Sequence, residues 1–157
     1  MLDRGDAQFI LLGEGDAAYT SALAVRAVTA PESIGVQFDF SDRMEHLLLA
    51  GADACLVPSV YEPCGLTQMR AQRYGTLPIA HRVGGLADTI DEETGFLFSP
   101  HTPAALAQAV ERTVTAYAEE SHWIARMRAA MRKDFAWVNS AAAYREVYRH
   151  ASLLSQT

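Results

Sequence analysis

Short apolar runs alternate with longer stretches of helical character along the whole chain. Five runs predict strands, at 8–12, 35–40, 54–57, 77–80 and 95–98. Helices are predicted over 17–30, from 42, over 66–74, and from 102, 121 and 140. Strands that alternate with helices indicate an α/β fold whose mostly parallel sheet is flanked by helices. No repeat or linker divides the sequence, so we predict a single domain over 1–157.

Charge and composition argue against several classes of function. The chain carries 13 basic and 19 acidic residues, a net charge of −6, which argues against a broad nucleic-acid surface. No apolar run approaches the roughly 18 residues of a membrane span, and segment 1–6 lacks the form of a signal peptide. Cys55 and Cys64 do not make a disulfide framework, and the histidines show no ligand spacing, so we expect no metal. We therefore expect a cytoplasmic protein that binds neither nucleic acid nor membrane.

A glycine-rich turn follows the first predicted strand. Gly13 and Gly15 fit the dinucleotide pattern in which the backbone approaches a diphosphate at a helix N-terminus. Asp39 would then hold a ribose, although it lies 26 positions after Gly13 instead of the usual spacing of roughly 20. The alternative is an ordinary turn in which a strand reverses into a helix.

A second candidate is segment 58–68, between the third strand and the following helix. Parallel sheets place ligands at this edge, beyond the carboxyl ends of their strands. The N–H groups of Gly65, Leu66 and Thr67 would face an anion, helped by the helix dipole. Glu62 would accept hydrogen bonds from hydroxyl groups of the same ligand. The alternative is a helix-entry loop with a surface glutamate and a structural proline.

A third candidate is segment 82–89, which follows the fourth strand. Gly84 and Gly85 permit a turn that another backbone or a ligand can approach closely, with Asp88 exposed beside it. A plain Gly-Gly loop is the alternative interpretation.

Several segments, in order along most of the chain, together have the pattern of one family. They are 62–68, 73–79 and 84–89, with 12–16, 36–37 and 133–137. They resemble the bacterial glycogen synthase and starch synthase family. That family transfers glucose from ADP-glucose to the 4-hydroxyl of an α-1,4-glucan, with retention of configuration and without a metal or other cofactor. The resemblance implies the C-terminal, nucleotide-sugar-binding half of a GT-B fold, which is Rossmann-like.

The resemblance also implies roles for the second candidate. Glu62 matches the catalytic carboxylate that contacts the donor glucose. Cys64 and Gly65 match backbone contacts to the sugar, whereas Leu66 and Thr67 match amides that bind the diphosphate. These assignments agree with the helix N-terminus as an anion site.

The same resemblance implies roles for residues outside the second candidate. Phe40 lies where the family has an aromatic residue beside the adenine, and Gly13 and Gly15 become a turn that lines the same cleft instead of a dinucleotide site. Arg70 and Val83 stand where the family more often has an aromatic residue and a threonine, which affects the contacts around the ribose.

We also expect the chain to be a fragment of an enzyme. The family's domain begins with a further strand and a loop whose Arg and Lys neutralise the diphosphate, and the only lysine here is Lys133. Without that strand, strands 9–12 and 54–57 would face each other across a seam, closed directly or by another chain in a homo-oligomer. The acceptor-binding domain would be absent as well, so we expect the 157-residue polypeptide alone to be inactive.

Two other functions stay open at this point. One is a GT-B glycosyltransferase that uses a different nucleotide sugar. The other is a non-catalytic domain that only binds nucleotide or glucan.

Overall fold

The computed structural model describes residues 7–154. Segment 1–6, which the signal-peptide prediction concerns, lies outside the described residues. The chain divides into two compact units, one ending at Gly51 and the other beginning at Ala52. The prediction of one domain over 1–157 concerns both units together and stays a prediction. Among residues 7–154, no helix is long and apolar enough to cross a membrane.

The first unit is a parallel strand pair with two helices. Its elements are β1 (Phe9–Leu12), α1 (Ala17–Thr29), β2 (Ile34–Gln37) and α2 (Asp42–Gly51). β1 and β2 pair in parallel, with Phe9 opposite Ile34. Asp16 caps α1 because its carboxylate accepts a hydrogen bond from the N–H of Ala18.

The second unit is a three-stranded parallel sheet of order β3-β4-β5 with five helices in the described part of the chain. Its elements are β3 (Ala54–Val57), α3 (Thr67–Tyr74), β4 (Leu77–His81), α4 (Gly84–Thr89), β5 (Phe96–Phe98), α5 (Pro103–Tyr117), α6 (Glu120–Arg132) and α7 (Trp137–Leu154). β4 lies in the middle and is buried over its first four residues, as its continuous apolar run requires.

The main core of the second unit lies between this sheet and helices α5 and α6. Leu77 and Ile79 of the central strand pack with Phe96 and with Trp123 of α6. Phe96 and Trp123 stack with their ring centroids 6.3 Å apart, and the guanidinium of Arg126 lies 5.0 Å from the centre of the Phe96 ring. This packing fixes β4 and β5, and therefore the edge of the sheet at which the loops leave.

The fold prediction is confirmed, since every strand pair in the described residues is parallel and helices flank the sheets. Two local predictions differ from the structure. Segment 84–89, expected as a turn, is the short helix α4. The sequence also predicts Asp42 as the cap of the helix that begins there, with Glu45 three residues later. Asp42 is instead the first residue of α2, and the Ser41 hydroxyl accepts the capping hydrogen bond from the N–H of Met44.

Lys133 joins the end of α6 to the loop after α4. Its ammonium lies 2.7 Å from the carboxylate of Asp91 and donates to the carbonyl of Thr89 at 3.0 Å. Burial alone would raise the pKa of Asp91, but hydrogen bonds from Lys133 and Thr94 and the charge of Lys133 outweigh it and hold that pKa below its usual value. Because Lys133 is occupied in this way, it has a structural role in the second unit.

The pH dependence of stability tests this ion pair. A carboxyl whose pKa is lowered by folding stabilises the fold above its unfolded pKa, and this contribution is lost as the pH falls through the folded pKa. We expect Asp91→Asn to lower the unfolding free energy at pH 7 by about 0.2–1 kcal/mol, the range of partly exposed pairs. The difference between variant and wild type should shrink below the unfolded pKa of 3.8.

Urea unfolding at pH 7 and at pH 3 measures this difference. Glu92→Gln is the matched control, because Glu92 is an exposed neighbour whose side chain forms no ion pair among residues 7–154. A deficit in Asp91→Asn that is equally large at both pH values would contradict the ion-pair explanation.

Candidate functional site

The second candidate of the sequence, segment 58–68, comprises the loop 58–66 between β3 and α3 and the first two residues of α3, and it begins at the carboxyl end of β3. The backbone of Gly65 has a φ of +75°, a conformation that favours glycine, and turns the chain into α3. Leu66 stands at the N-cap of the helix, where no side chain caps the N–H groups. The helix therefore begins with N–H groups that its own cap does not bind.

The turn at Gly84 and Gly85 packs directly against this loop. The N–H of Gly85 donates a hydrogen bond to the carbonyl of Glu62 at 2.9 Å. A Cβ at Gly84 would lie 2.2 Å from the Glu62 carbonyl oxygen, and one at Gly85 would lie 2.0 Å from that of Cys64. Glycine is required at both positions because the two backbones touch, and the second and third candidates of the sequence are therefore one site.

Gln68 lies beneath the loop, in the first turn of α3. Its side chain is completely buried. The amide nitrogen Nε2 donates to the carbonyls of Cys64 at 2.9 Å and Gly65 at 3.0 Å, and to the hydroxyl oxygen of Thr89 at 3.1 Å. One buried amide thus binds two successive loop carbonyls and the end of α4.

Two histidines hold the beginning of the loop. Nδ1 of His81 lies 2.9 Å from the carbonyl oxygen of Ser59, and Nε2 of His101 lies 2.9 Å from that of Pro58. A carbonyl only accepts, so each of these ring nitrogens carries a proton that it donates. The two rings meet edge to face with their centroids 4.8 Å apart. The carbonyls at both ends of the loop are therefore bound by side chains of the second unit.

The functional side chains on this loop differ in exposure. Glu62 is half-buried, and its carboxylate accepts a long hydrogen bond from the Ser59 hydroxyl at 3.4 Å. Cys64 is exposed, whereas Cys55 in β3 is half-buried. Leu66 is 60% exposed. The carboxylate and the thiol are thus both reachable by a ligand at the helix entrance.

Backbone N–H groups at the same place lack protein partners. In the part of the chain that the structure describes, the N–H groups of Gly65 and Leu66 form no hydrogen bond. They lie where the dipole of α3 places partial positive charge. Chemically, this arrangement suits an anion such as a phosphate, with a carboxylate nearby that can accept hydrogen bonds from hydroxyl groups.

The remaining predicted site residues belong to the first unit. Gly13 has a φ of +139°, and its N–H donates to the carbonyl of Gln37 at 3.0 Å. Gly15 lines an open depression together with Glu14, Thr20, Ser21, Ala24 and Phe38. Phe40 is 65% exposed. Whether these residues join Glu62 and segment 64–67 in one cleft stays a prediction, as does each assigned role.

Sequence reasoning missed the residues that hold the loop from behind. They are His81, His101, Gln68 and Thr89. The histidine contacts with the loop carbonyls and the contact of Gln68 with Thr89 join residues at least 21 positions apart, so they depend on the tertiary fold. Gln68 also binds the carbonyls of Cys64 and Gly65, which lie four and three positions before it. The signal that could have pointed to one of them is the spacing of Gln68 and Gln72, two polar residues one turn apart on the face of α3 that is buried. Among residues 7–154, no group of three or more histidine, cysteine, aspartate or glutamate side chains is arranged to hold a metal ion.

Comparison with known proteins identifies the family. A family model described as "Glycosyl transferases group 1" matches residues 1–116. The chain therefore belongs to the group 1 glycosyl transferases.

Individual relatives agree with this result. Glycogen synthase 1 of Methylococcus capsulatus is 42% identical over 154 residues, which cover 92% of this chain and 31% of the relative. Glycogen synthase 2 of Nitrosococcus oceani is 42% identical over 95% of this chain and 32% of its own length. The chain thus spans about a third of the length of the curated relatives it matches.

Solved structures confirm the GT-B architecture. The catalytic domain of starch synthase IV from Arabidopsis thaliana, bound to ADP and acarbose, superposes with a TM-score of 0.80 at 30% identity, covering 91% of this chain and 32% of that one. Anabaena HepE in complex with UDP-glucose shares the fold with a TM-score of 0.66 at 19% identity, over 95% of this chain and 44% of that one.

The close contact between Gly85 and the loop generates a stability prediction. In Gly85→Ala, the added methyl group must displace the Cys64 carbonyl, and overpacking of this kind costs about 1–3 kcal/mol. We expect urea unfolding to show a loss of that size. Gly51→Ala is the control, because nothing lies within 4 Å of a Cβ at Gly51. If both variants unfold like the wild type, the two backbones are not in the contact described.

Proposed function

We propose that this chain is the nucleotide-sugar-binding half of a retaining glycosyltransferase that transfers glucose from ADP-glucose to the 4-hydroxyl of an α-1,4-glucan. The observation that carries the proposal is the helix entrance at Gly65, where unpartnered N–H groups follow Glu62 by three and four residues on the same loop. Relatives named glycogen synthase at 42% identity and a starch synthase bound to ADP and acarbose support the choice of donor and acceptor.

In this proposal, the N–H groups at Gly65, Leu66 and Thr67 bind the diphosphate of the donor. As the bond from glucose to the diphosphate breaks, negative charge grows on the departing ADP. N–H groups that already point at this charge stabilise it without reorganising, which lowers the barrier. The partial positive charge of the α3 N-terminus acts in the same direction.

Glu62 and the adjoining backbone then orient the sugar. The carboxylate of Glu62 accepts hydrogen bonds from hydroxyl groups of the glucose and holds its anomeric carbon toward the acceptor. The resemblance gives Cys64 and Gly65 backbone contacts to the same sugar; because Gln68 binds both of their carbonyls, these contacts would be made by their N–H groups, with that of Gly65 lying between sugar and diphosphate. For Phe40, Gly13 and Gly15 of the first unit, the roles beside the adenine and in the cleft stay predictions that the family resemblance implies. The proposal requires no metal or other cofactor.

Two further expectations from the sequence stay predictions. One is a homo-oligomer that forms through the predicted seam. The other is that the 157-residue polypeptide alone is inactive. Lys133, the only lysine of the sequence, is bound to Asp91 and is therefore not assigned to the diphosphate.

The choice of donor distinguishes this proposal from its two alternatives. We expect the full-length protein to release ADP from ADP-glucose in the presence of glycogen, and to release UDP from UDP-glucose at least about tenfold more slowly. Coupled assays of nucleoside diphosphate release measure both rates. Faster turnover of UDP-glucose would favour another nucleotide-sugar transferase, and nucleotide binding without any turnover would favour a non-catalytic domain.

Replacement of Glu62 tests its catalytic role. In the full-length protein, Glu62→Ala removes the group that orients the sugar, and misplacement of a reacting group typically costs about 100-fold in rate. We expect kcat to fall by at least that much, while the Kd for ADP changes little because the N–H groups are unaffected. Steady-state kinetics and calorimetric titration with ADP provide the two numbers.

Glu111→Ala is the matched control for this variant, because Glu111 is an exposed glutamate on α5. Its kcat should equal that of the wild type. Turnover in Glu62→Ala within a few-fold of the wild-type value would overturn the assignment.

A further inference from the structure

We propose that Gln68 is a positioning residue that, together with Thr89, fixes the direction in which the donor-binding N–H groups point. This inference rests on the proposed function, since it concerns the same N–H groups. It adds a residue that no motif-based prediction had assigned and that touches no ligand itself.

The geometry of the peptide group carries the first step. In a trans peptide, the carbonyl of one residue and the N–H of the next point in opposite directions. Nε2 of Gln68 binds the carbonyls of Cys64 and Gly65 from inside the protein. The N–H groups that belong to those two peptides are those of Gly65 and Leu66. By holding both carbonyls inward, one buried amide turns both N–H groups outward, toward the helix entrance.

The orientation of the Gln68 amide is itself determined by its surroundings. Nε2 faces three oxygen atoms within 3.1 Å, those of Cys64, Gly65 and Thr89. The other end, Oε1, is buried and has no hydrogen-bond partner among the described residues. Flipping the amide would place Oε1 against three oxygens, so only the observed orientation donates. Leaving Oε1 of Gln68 buried without a hydrogen bond costs free energy. The same orientation allows Nε2 to bind both loop carbonyls.

Thr89 connects this amide to the glycine turn. Its hydroxyl oxygen accepts from Gln68 and donates to the carbonyl of Gly85 at 2.5 Å. The N–H of Gly85 in turn donates to the carbonyl of Glu62. A continuous series of hydrogen bonds therefore runs from the N–H-bearing peptides to the residue that orients the sugar.

Gly65 provides an independent reason for this arrangement. A Cβ at Gly65 would lie 2.4 Å from Oε1 and 2.7 Å from Nε2 of Gln68. The glycine therefore leaves the space in which the amide lies under the loop, in addition to allowing a positive φ. Any side chain at 65 would force Gln68 away from the two carbonyls.

The chain offers a matched control in Gln72. Gln72 is one turn further along α3 and equally buried, and its Nε2 donates to the backbone carbonyls of Gln68 and Thr89 at 3.3 Å. It also has an unsatisfied Oε1. It binds no carbonyl of the loop. Replacing either glutamine by methionine keeps the length of the side chain and removes the N–H donor. Gln68→Met loses hydrogen bonds to the loop carbonyls, whereas Gln72→Met loses hydrogen bonds to carbonyls outside the loop.

The experiment compares Gln68→Met and Gln72→Met in the full-length protein, with ADP affinity, kcat and KM for ADP-glucose, and unfolding as readouts. We expect Gln68→Met to weaken ADP binding and to lower kcat/KM by about tenfold or more, since displaced N–H groups lose both ground-state and transition-state contacts. Gln72→Met should change kcat/KM by less than about threefold at a similar loss of stability.

A second pair of variants keeps the test independent of how Gln68→Met folds. Thr89→Val removes the hydroxyl that links Gln68 to Gly85 at nearly equal volume and should lower kcat/KM, whereas Thr89→Ser should restore it.

A ¹⁵N-resolved NMR spectrum of the Gly65 and Leu66 amides reports on the loop without ligand, and we expect their resonances to move in Gln68→Met and not in Gln72→Met.

The outcomes separate the inference from the function on which it rests. If the wild type neither binds ADP nor turns over any nucleotide sugar, the proposed function is wrong, and the amide resonances still decide whether Gln68 orders the loop. If the wild type is active and both glutamine variants lose activity in proportion to stability, or Gln68→Met behaves like the wild type, the positioning role is overturned.

Discussion

The loop at the carboxyl end of β3 keeps its shape because its carbonyl groups are bound from inside the second unit. His101 binds the carbonyl of Pro58, His81 that of Ser59, and Gln68 those of Cys64 and Gly65. A carbonyl that is held inward fixes its peptide plane, and the N–H on the other side of that plane is then held outward. The candidate site is therefore determined mainly by side chains that do not line it.

The parallel sheet makes this arrangement possible. β3 and β4 run in the same direction, so the loops that follow them leave at the same edge. His81 is the last residue of β4, and Gly84 and Gly85 begin the helix that follows it. The contact of these glycines with Glu62 and Cys64 thus results from strand order, and the core between β4, β5 and α6 supports it through the stacking of Phe96 on Trp123.

Much of this could be predicted from the sequence, because the signals were local. The apolar run 54–57 predicted β3, and the helical patterns over 66–74 and from 102 predicted α3 and α5. The glycine pair was predicted only as a turn, since a six-residue helix has too few positions to show a period. The contact of Gln68 with Thr89 could not be predicted, because the two residues are 21 positions apart and meet only in the folded unit. Its contacts with the nearby carbonyls of Cys64 and Gly65 depend on the loop conformation, which the sequence pattern did not show.

Electrostatics explains why the orientation of two peptide groups, Cys64–Gly65 and Gly65–Leu66, is important at this site. The chain is acidic, with a net charge of −6, and its only lysine is engaged by Asp91 and the carbonyl of Thr89. Lys133 is therefore not available to an anion at the helix entrance, where the N–H groups of Gly65 and Leu66 have no partner among the described residues. Such groups act over short distances and only when aligned, so a small rotation of the loop would remove most of their effect. A site built from oriented N–H groups therefore needs a more rigid support than a site built from flexible cationic side chains. Gln68, buried beneath the loop that carries these N–H groups, provides such support.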